Sequence, residues 1–239
     1  MTAAATAGVN ALARMRLAAL VRGGRAPAPL IAALVVLGVI YGGGPSSAGA
    51  AYGYSAVMLY PVLAWQSKLL FDAEPDVQRR LARVAVGAGR EAAAGVIAAA
   101  LAGLGTCAVA MLAPWLFGGV RGPLPGSGEP ALGVGIGLGV LAHLCAVPAA
   151  VALGALASRA VTRSVLHGVA VLVTGSVLTM VLGLRSSVAP WLVPPVMATA
   201  RALTDRLPPV TTVAALTGHA VLWSAAVLAV YARLRRRRS

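Results

Sequence analysis

Residues 26–67 read APAPLIAALVVLGVIYGGGPSSAGAAYGYSAVMLYPVLAWQS, without one charged side chain. A bilayer core about 30 Å thick takes roughly 20 apolar residues per helix, so this stretch is long enough for two crossings. Gly42-Gly43-Gly44-Pro45-Ser46-Ser47 has the composition of a turn and divides it, leaving spans near 28–42 and 49–67. The first is short for a crossing and either tilts little or begins before Pro27. Working outward, further charge-free intervals run from Ala92 to Val120, Pro130 to Ser158, Ser164 to Leu184 and Leu207 to Ala232. Each holds one helix, near 92–118, 131–157, 164–184 and 210–232. The expectation is an all-α, polytopic membrane protein with six transmembrane helices and both termini cytoplasmic, in the cell membrane.

Composition agrees. The chain has 239 residues, 59% hydrophobic and only 11% charged, with a mean hydropathy of +0.85. A soluble domain carries about a quarter charged residues, so lipid must solvate much of this chain. A soluble enzyme, a secreted disulfide scaffold and a disordered protein are excluded. Cys107 and Cys145 both fall in apolar runs and read as buried structural cysteines rather than a disulfide framework or a metal site.

Net charge is +14, with Arg in every basic position except Lys68. In a soluble protein such an excess suggests nucleic acid; beside membrane spans it is a topology signal. With the N-terminus inside, the inner segments hold Arg14, Arg16, Arg22 and Arg25; Lys68, Arg79, Arg80, Arg83 and Arg90; Arg159 and Arg163; and Arg233 with Arg235 to Arg238. The outer segments hold Arg121, Arg185, Arg201 and Arg206. Sixteen against four is the asymmetry that the positive-inside rule requires of six spans. Leu30 to Ile40 followed by Ala48-Gly49-Ala50 also has the form of a signal peptide with a cleavage site, but four Arg in a long polar lead argue against it.

Trp65 and Tyr231 fall at the expected inner interface, and Tyr41, Tyr52, Trp115 and Trp191 near the outer one, as amphipathic rings prefer. Gly95, Ala99 and Gly103 recur every four residues, and Gly133, Gly135, Gly137 and Gly139 form overlapping GxxxG pairs that let helices approach closely.

All six acids (Asp72, Glu74, Asp76, Glu91, Glu129 and Asp205) lie outside the spans or at their ends. Ion-coupled carriers usually bury at least one, because intramembrane charges are kept for function. His143, His167 and His219 sit on three different helices with no acid beside them, which reads as packed neutral histidine before proton relay. No HExxH, GxSxG, paired carboxylate or GxxxxGK[ST] loop is present. The chain reads as a non-enzyme without its own ATPase motif, so uphill transport would need a partner.

Within the inner loop 72–91, Pro75 with flanking Glu74 and Asp76 starts a helix, and Val77, Leu81, Val84 and Ala88 share one face. Arg79, Arg80 and Arg83 occupy the other side, and Gly87 and Gly89 end the helix. Such a basic amphipathic helix either rests on anionic headgroups or docks a cytoplasmic partner, and the two are compatible. Residues 1–27 form a second amphipathic interfacial segment, with Leu12, Met15 and Leu20 opposed to Arg14, Arg16, Arg22 and Arg25. Residues 233–239 are a basic tail. The outer segment 185–209 is rich in Pro, and Val196 to Leu207 reads as a short helix dipping into the interface.

This arrangement resembles the permease subunit of type 2 ABC exporters over nearly the whole chain, as architecture more than as residue identity. The resemblance rests on the flat basic helix before span one and on the loop Asp72-Ala-Glu-Pro-Asp-Val-Gln-Arg-Arg-Leu-Ala-Arg-Val running through Gly-Ala-Gly-Arg-Glu into span three. It extends to Ala189-Pro-Trp-Leu-Val-Pro-Pro before span six. It implies that 72–91 is a coupling loop in which Val77, Arg79, Arg80, Leu81, Arg83 and Val84 dock on a separate ABC ATP-binding subunit. ATP and Mg would belong to that partner, leaving no cofactor in this chain. It further implies a second permease copy as partner, and a substrate path lined by spans two and five, here Tyr54, Met58 and Tyr60 with Thr174, Thr179 and Met180. The lipid bilayer is the remaining partner, and no nucleic acid is expected. The alternatives are a non-transporting membrane anchor or regulatory subunit and, less favoured, an ion-coupled carrier.

Overall fold

The computed structural model describes residues 3–204 and 206–237; Asp205 of the Pro-rich segment and Arg238 of the basic tail lie outside them. The helices are α1 (Ala3–Arg22), α2 (Pro27–Tyr41), α3 (Ala48–Phe71), α4 (Asp76–Val86), α5 (Ala88–Leu116), α6 (Leu132–Leu156), α7 (Arg159–Thr162), α8 (Val165–Leu182), α9 (Val196–Ala202) and α10 (Val210–Arg236). A two-residue parallel ladder, β1 (Ser46–Ser47) with β2 (Val120–Arg121), ties the entry of α3 to the exit of α5.

The long helices alternate in direction. Lys68 at the end of α3, Glu91 at the start of α5, Arg159 beyond α6 and Arg235 at the end of α10 all take part in ion pairs gathered at one end of the bundle. At the other end, Gly135 of α6 abuts Ala48, Gly183 abuts Met197 of α9, and Gly119 abuts Tyr41 at the close of α2.

Four helical stretches are long and apolar enough to cross a bilayer: Ala88–Leu116, Leu132–Thr162, Val165–Leu182 and Val210–Arg236. The count becomes five if α1 and α2, bent by 76° at their junction, are one broken span. The chain is therefore an all-α, multi-pass membrane protein, but not clearly one of six spans. Two helices account for the difference. At 15 residues, α2 reaches only about 22 Å. With 24 residues, α3 reaches about 36 Å, but it carries Ser55, Gln66, Ser67, Lys68 and three tyrosines.

Those polar groups are tolerated because α3 is the centre of the bundle. Eighteen of its 24 residues are buried, against α6, α5, α2 and α9. Gln66 accepts from Thr106 Oγ1 at 3.0 Å, and Tyr52 donates to the Met111 carbonyl at 3.0 Å. Close approach is made by glycine: a Cβ at Gly139 would lie 2.4 Å from Tyr52 Cβ, and one at Gly154 would lie 2.6 Å from the Ala64 carbonyl oxygen. Of the overlapping GxxxG pairs, Gly135 and Gly139 pack on α3, whereas Gly133 and Gly137 face open space. In contrast, only 17% of the apolar window of α8 and 11% of that of α10 is buried, leaving Val169, Val173, Leu222 and Val230 to lipid.

Three aromatic placements are corrected. Tyr41, Tyr52 and Tyr231 are almost fully buried rather than set at an interface, whereas Trp115 and Trp191 are exposed. The helix expected over 196–207 ends at Ala202, where the Leu203 N–H closes the last turn on the Thr199 and Ala200 carbonyls and the Thr204 N–H tightens it onto Arg201. His143 is a packed histidine: its Nδ1 donates to the Gly139 carbonyl at 2.9 Å and its Nε2 lies 3.3 Å from Ser55 Oγ. Cys107 and Cys145 are free thiols.

Candidate functional site

Helix α4 begins after Pro75, and Gly87, at φ +89°, turns the chain into α5. A side chain at Gly87 would be strained in that conformation. The orientation of α4 is set by charge. Its apolar face points away from the protein: Val77, Leu81 and Val84 are 67%, 64% and 88% exposed. Arg80 is exposed beside them, while Arg79 is buried and Arg83 is half-buried. The arginine side therefore does not form one solvent-facing stripe. It is divided, with Arg79 and Arg83 turned inward.

What draws Arg83 inward is Glu91, which is fully buried at the first turn of α5. Arg83 Nε lies 3.5 Å from Glu91 Oε2. Arg16 of α1 pairs with Glu91 Oε1, donates to the Glu91 carbonyl at 3.2 Å, and pairs with Glu74 Oε2 at 2.9 Å. Arg235 of α10 pairs with Glu91 Oε2 and donates to Tyr231 Oη at 2.7 Å. Tyr231 in turn packs on Phe71, with ring centroids 5.6 Å apart. Gly95 makes room for this: a Cβ there would collide with the Arg16 guanidinium. Arg16 is thus 2% exposed, which corrects its expected place on a solvent-facing stripe of α1.

A second knot lies alongside. Asp72 accepts from Lys68 Nζ at 2.7 Å and from the Arg159 backbone N–H at 2.8 Å. Its carbonyl accepts from Arg159 Nη2 at 3.0 Å and from Arg25 Nη1 at 3.4 Å. Together the two knots clamp α4 and its approach to α1, α3, α5, α7 and α10. Buried ion pairs add little net stability against apolar packing, but removing one partner is costly. The arrangement holds an exposed apolar helix face at one end of the bundle.

The residues expected along a substrate path are brought together only in part. Tyr60 of α3 is fully buried and its hydroxyl faces Thr179 of α8, which is also buried. Tyr54 and Met58, one turn apart, lie on the open face of α3, half exposed. Thr174 is exposed on α8, and Met180 packs partly against the core.

At the opposite end, the Pro-rich segment folds onto α10. His219 Nε2 donates to the Trp191 carbonyl at 3.3 Å, and Trp223 Nε1 donates to the Leu192 carbonyl at 2.8 Å. Helix α9 presses on α3 at Gly49 and Gly53. A cavity of about 250 Å³ remains between this segment, α9 and α10. In the neighbouring loop, Arg121 grips Glu129 through both carboxylate oxygens at 2.8 Å. With the Leu124 N–H, that guanidinium holds the Glu129 carboxyl down to about 2.

Sequence reasoning missed the two ionic knots, because Glu91 is an ordinary helix-start acid locally and its partner Arg16 is 75 residues away. The available signal was regional: Asp72, Glu74, Asp76 and Glu91 are four of the six acids and lie within twenty residues. Among the described residues, no group of three His, Cys, Asp or Glu side chains is placed to hold a metal ion. No known protein family, curated protein or solved structure matches the chain.

Proposed function

We propose that this protein is the membrane-spanning permease subunit of an ABC exporter, coupled through α4 to a separate ATP-binding subunit. The observation that carries the reading is α4 itself. It offers Val77, Leu81 and Val84 with Arg80 on an exposed face, while its other side is fixed by Arg83 and Glu91. A helix that transmits a partner's movement needs a sticky outer face and a stiff inner attachment, and α4 combines both.

In this reading α2 and α3 also cross, giving six spans. Lipid tolerates α3 because its neighbours shield its polar groups. The end that carries α4 and both termini is cytoplasmic by its excess of basic residues. Two copies pair, and cargo passes along the open stripe of Tyr54 and Met58, with Tyr60, Thr174, Thr179 and Met180 beside it.

The test is affinity purification of the tagged chain from its native membrane in mild detergent, with ATPase activity measured on the eluate. A stoichiometric ATP-binding subunit is expected. Leu81→Asp should weaken its retention by about tenfold or more, as loss of an interface anchor does. Because Leu81 is exposed, the same change should leave the thermal midpoint of the bundle nearly unchanged. Full ATPase retention by Leu81→Asp would remove the docking role, and a preparation without any ATPase would remove the permease reading.

A further inference from the structure

The cavity at the α9 end has an unusual wall. Trp191 and Pro195 form one side, Leu216 and His219 of α10 another, and Arg201 of α9 closes it. Arg201 also lines a neighbouring, more open hollow of about 700 Å³ that takes in Arg206 and Leu207. Partial burial, with the like charge of Arg185 adding to it, lowers the hold of Arg201 on its proton. Among the described residues, none of these three arginines makes an ion pair, and Glu129 at that end is already taken by Arg121. Arg201 and Arg206 thus line the two hollows, and no acid among the described residues pairs with them.

The walls are otherwise apolar and already in place. The hydrogen bonds from His219 and Trp223 fix the 190–192 turn to α10. Helix α9 packs closely on α3, with the Leu203 carbonyl against Gly49 and Ala200 against Gly53. Trp191 is 68% exposed and Leu207 59% exposed, so the rim offers apolar surface next to the cations. Pockets that bind small molecules have this composition: mostly apolar, largely preformed, with a few convergent polar groups.

We propose that this cavity binds an anionic amphiphile, its phosphate or carboxylate head held by Arg201 with Arg185 and Arg206, and its apolar body against Trp191, Leu216 and Leu207. Arginine suits such a head because its planar fork matches the oxygens of phosphate and carboxylate. A neutral amphiphile would fill the apolar wall but pair with none of these charges. A hydrophilic anion such as inorganic phosphate would gain the charge but none of the apolar wall. The cargo role of this ligand rests on the permease reading. The binding itself does not.

Trp191 supplies the reporter. The full chain is placed in nanodiscs with an increasing mole fraction of acyl-brominated phosphatidylglycerol or phosphatidylcholine, and the Trp191 signal is taken as the difference from Trp191→Phe. In a parallel arm, brominated dodecanoate or brominated dodecanol is added from solution, without brominated lipid. The expected result is saturable quenching by an anionic probe at a low fraction where its neutral counterpart gives little. Arg201→Ala should raise the half-saturation point about tenfold, the scale of one lost charge-assisted contact, and Arg201→Lys should recover part of it. Preference for the phosphatidylglycerol identifies a bilayer lipid as the occupant; preference for dodecanoate alone identifies a soluble amphiphile. Equal quenching by charged and neutral probes in both arms, or quenching unmoved by Arg201→Ala, overturns the proposal. The readout needs neither ATP nor a partner, so it fails or succeeds independently of docking at α4.

Discussion

At the α4 end, Arg16, Arg83 and Arg235 converge from three helices on the buried Glu91, whereas at the α9 end Arg185, Arg201 and Arg206 meet no acid among the described residues. The first set is spent on holding helices together. The second is left for something outside the chain. The same residue type, beside the same kind of apolar bundle, acts as a brace in one place and as a receptor in the other. What separates them is burial with an acid: desolvated arginine is tolerable only where a carboxylate is desolvated with it. The teaching is that the +14 net charge cannot be read as a uniform property. Part of it is internal structure.

The largest expected effect tests the brace. Glu91→Gln keeps the shape but removes the charge on which three guanidinium groups close. Breaking one side of a buried pair costs about 3–5 kcal/mol, so a large fall in the thermal midpoint in detergent is expected. Arg201→Ala, which breaks no ion pair among the described residues, should shift the midpoint by no more than about 0.5 kcal/mol equivalent. If the two variants were equally stable, the distinction between brace and receptor would collapse.

Much of the architecture was legible before the structure. Charge-free intervals mark where helices lie, because a membrane helix satisfies its own backbone and leaves only side chains to be matched to lipid. Glycines flag close contacts for the same reason. Yet spacing alone could not separate Gly135 and Gly139, which pack on α3, from Gly133 and Gly137, which do not. The apolar face of α4 was legible as Val77, Leu81 and Val84, but its direction was not. Periodicity says which residues share a face, not which face turns inward. That was decided by Glu91, buried through contacts from α1 and α10 that span most of the chain. Tyr41, Tyr52 and Tyr231 misled for a related reason: an aromatic at an expected interface height can be covered by a neighbouring helix, and only tertiary packing says so.

A middle-sized effect asks whether the α9 end is loose in its packing as well as open in its charge. A Cβ at Gly49 would lie 2.4 Å from the Leu203 carbonyl oxygen, a backbone atom with no rotamer to yield. Gly49→Ala should therefore push α9 off α3, costing about 1–3 kcal/mol, the range for overpacking a filled site. Gly137→Ala, with nothing within 4 Å of its new methyl, should be neutral or slightly stabilising in a helix. Thermal midpoints of the two variants check this. Equal midpoints would mean that α9 rides freely on the bundle, and the preformed wall around Arg201 would have to be given up.

The smallest effect concerns Arg121, the one outer arginine paired with an acid among the described residues. Arg121 holds the Glu129 carboxyl down to about 2 from its ordinary 4.5, with the Leu124 N–H assisting. A carboxylate whose folded pKa is depressed contributes its stabilisation fully above the unfolded value and loses it as pH falls through the folded one. The loop should therefore keep its hydrogen bonds at neutral pH, begin to lose their contribution below about pH 4.5, and lose the last of it near pH 2. The pair is open to solvent, so the global midpoint should hardly move. Protection of the Leu124 amide, followed by exchange as pH is lowered, isolates the local event once intrinsic exchange rates are divided out. In Arg121→Ala the transition should move up toward the ordinary carboxylate range. If Glu129 already titrates there in the unaltered chain, Arg121 is as unpaired in solution as Arg201, and the α9 end presents four arginines to an external anion rather than three.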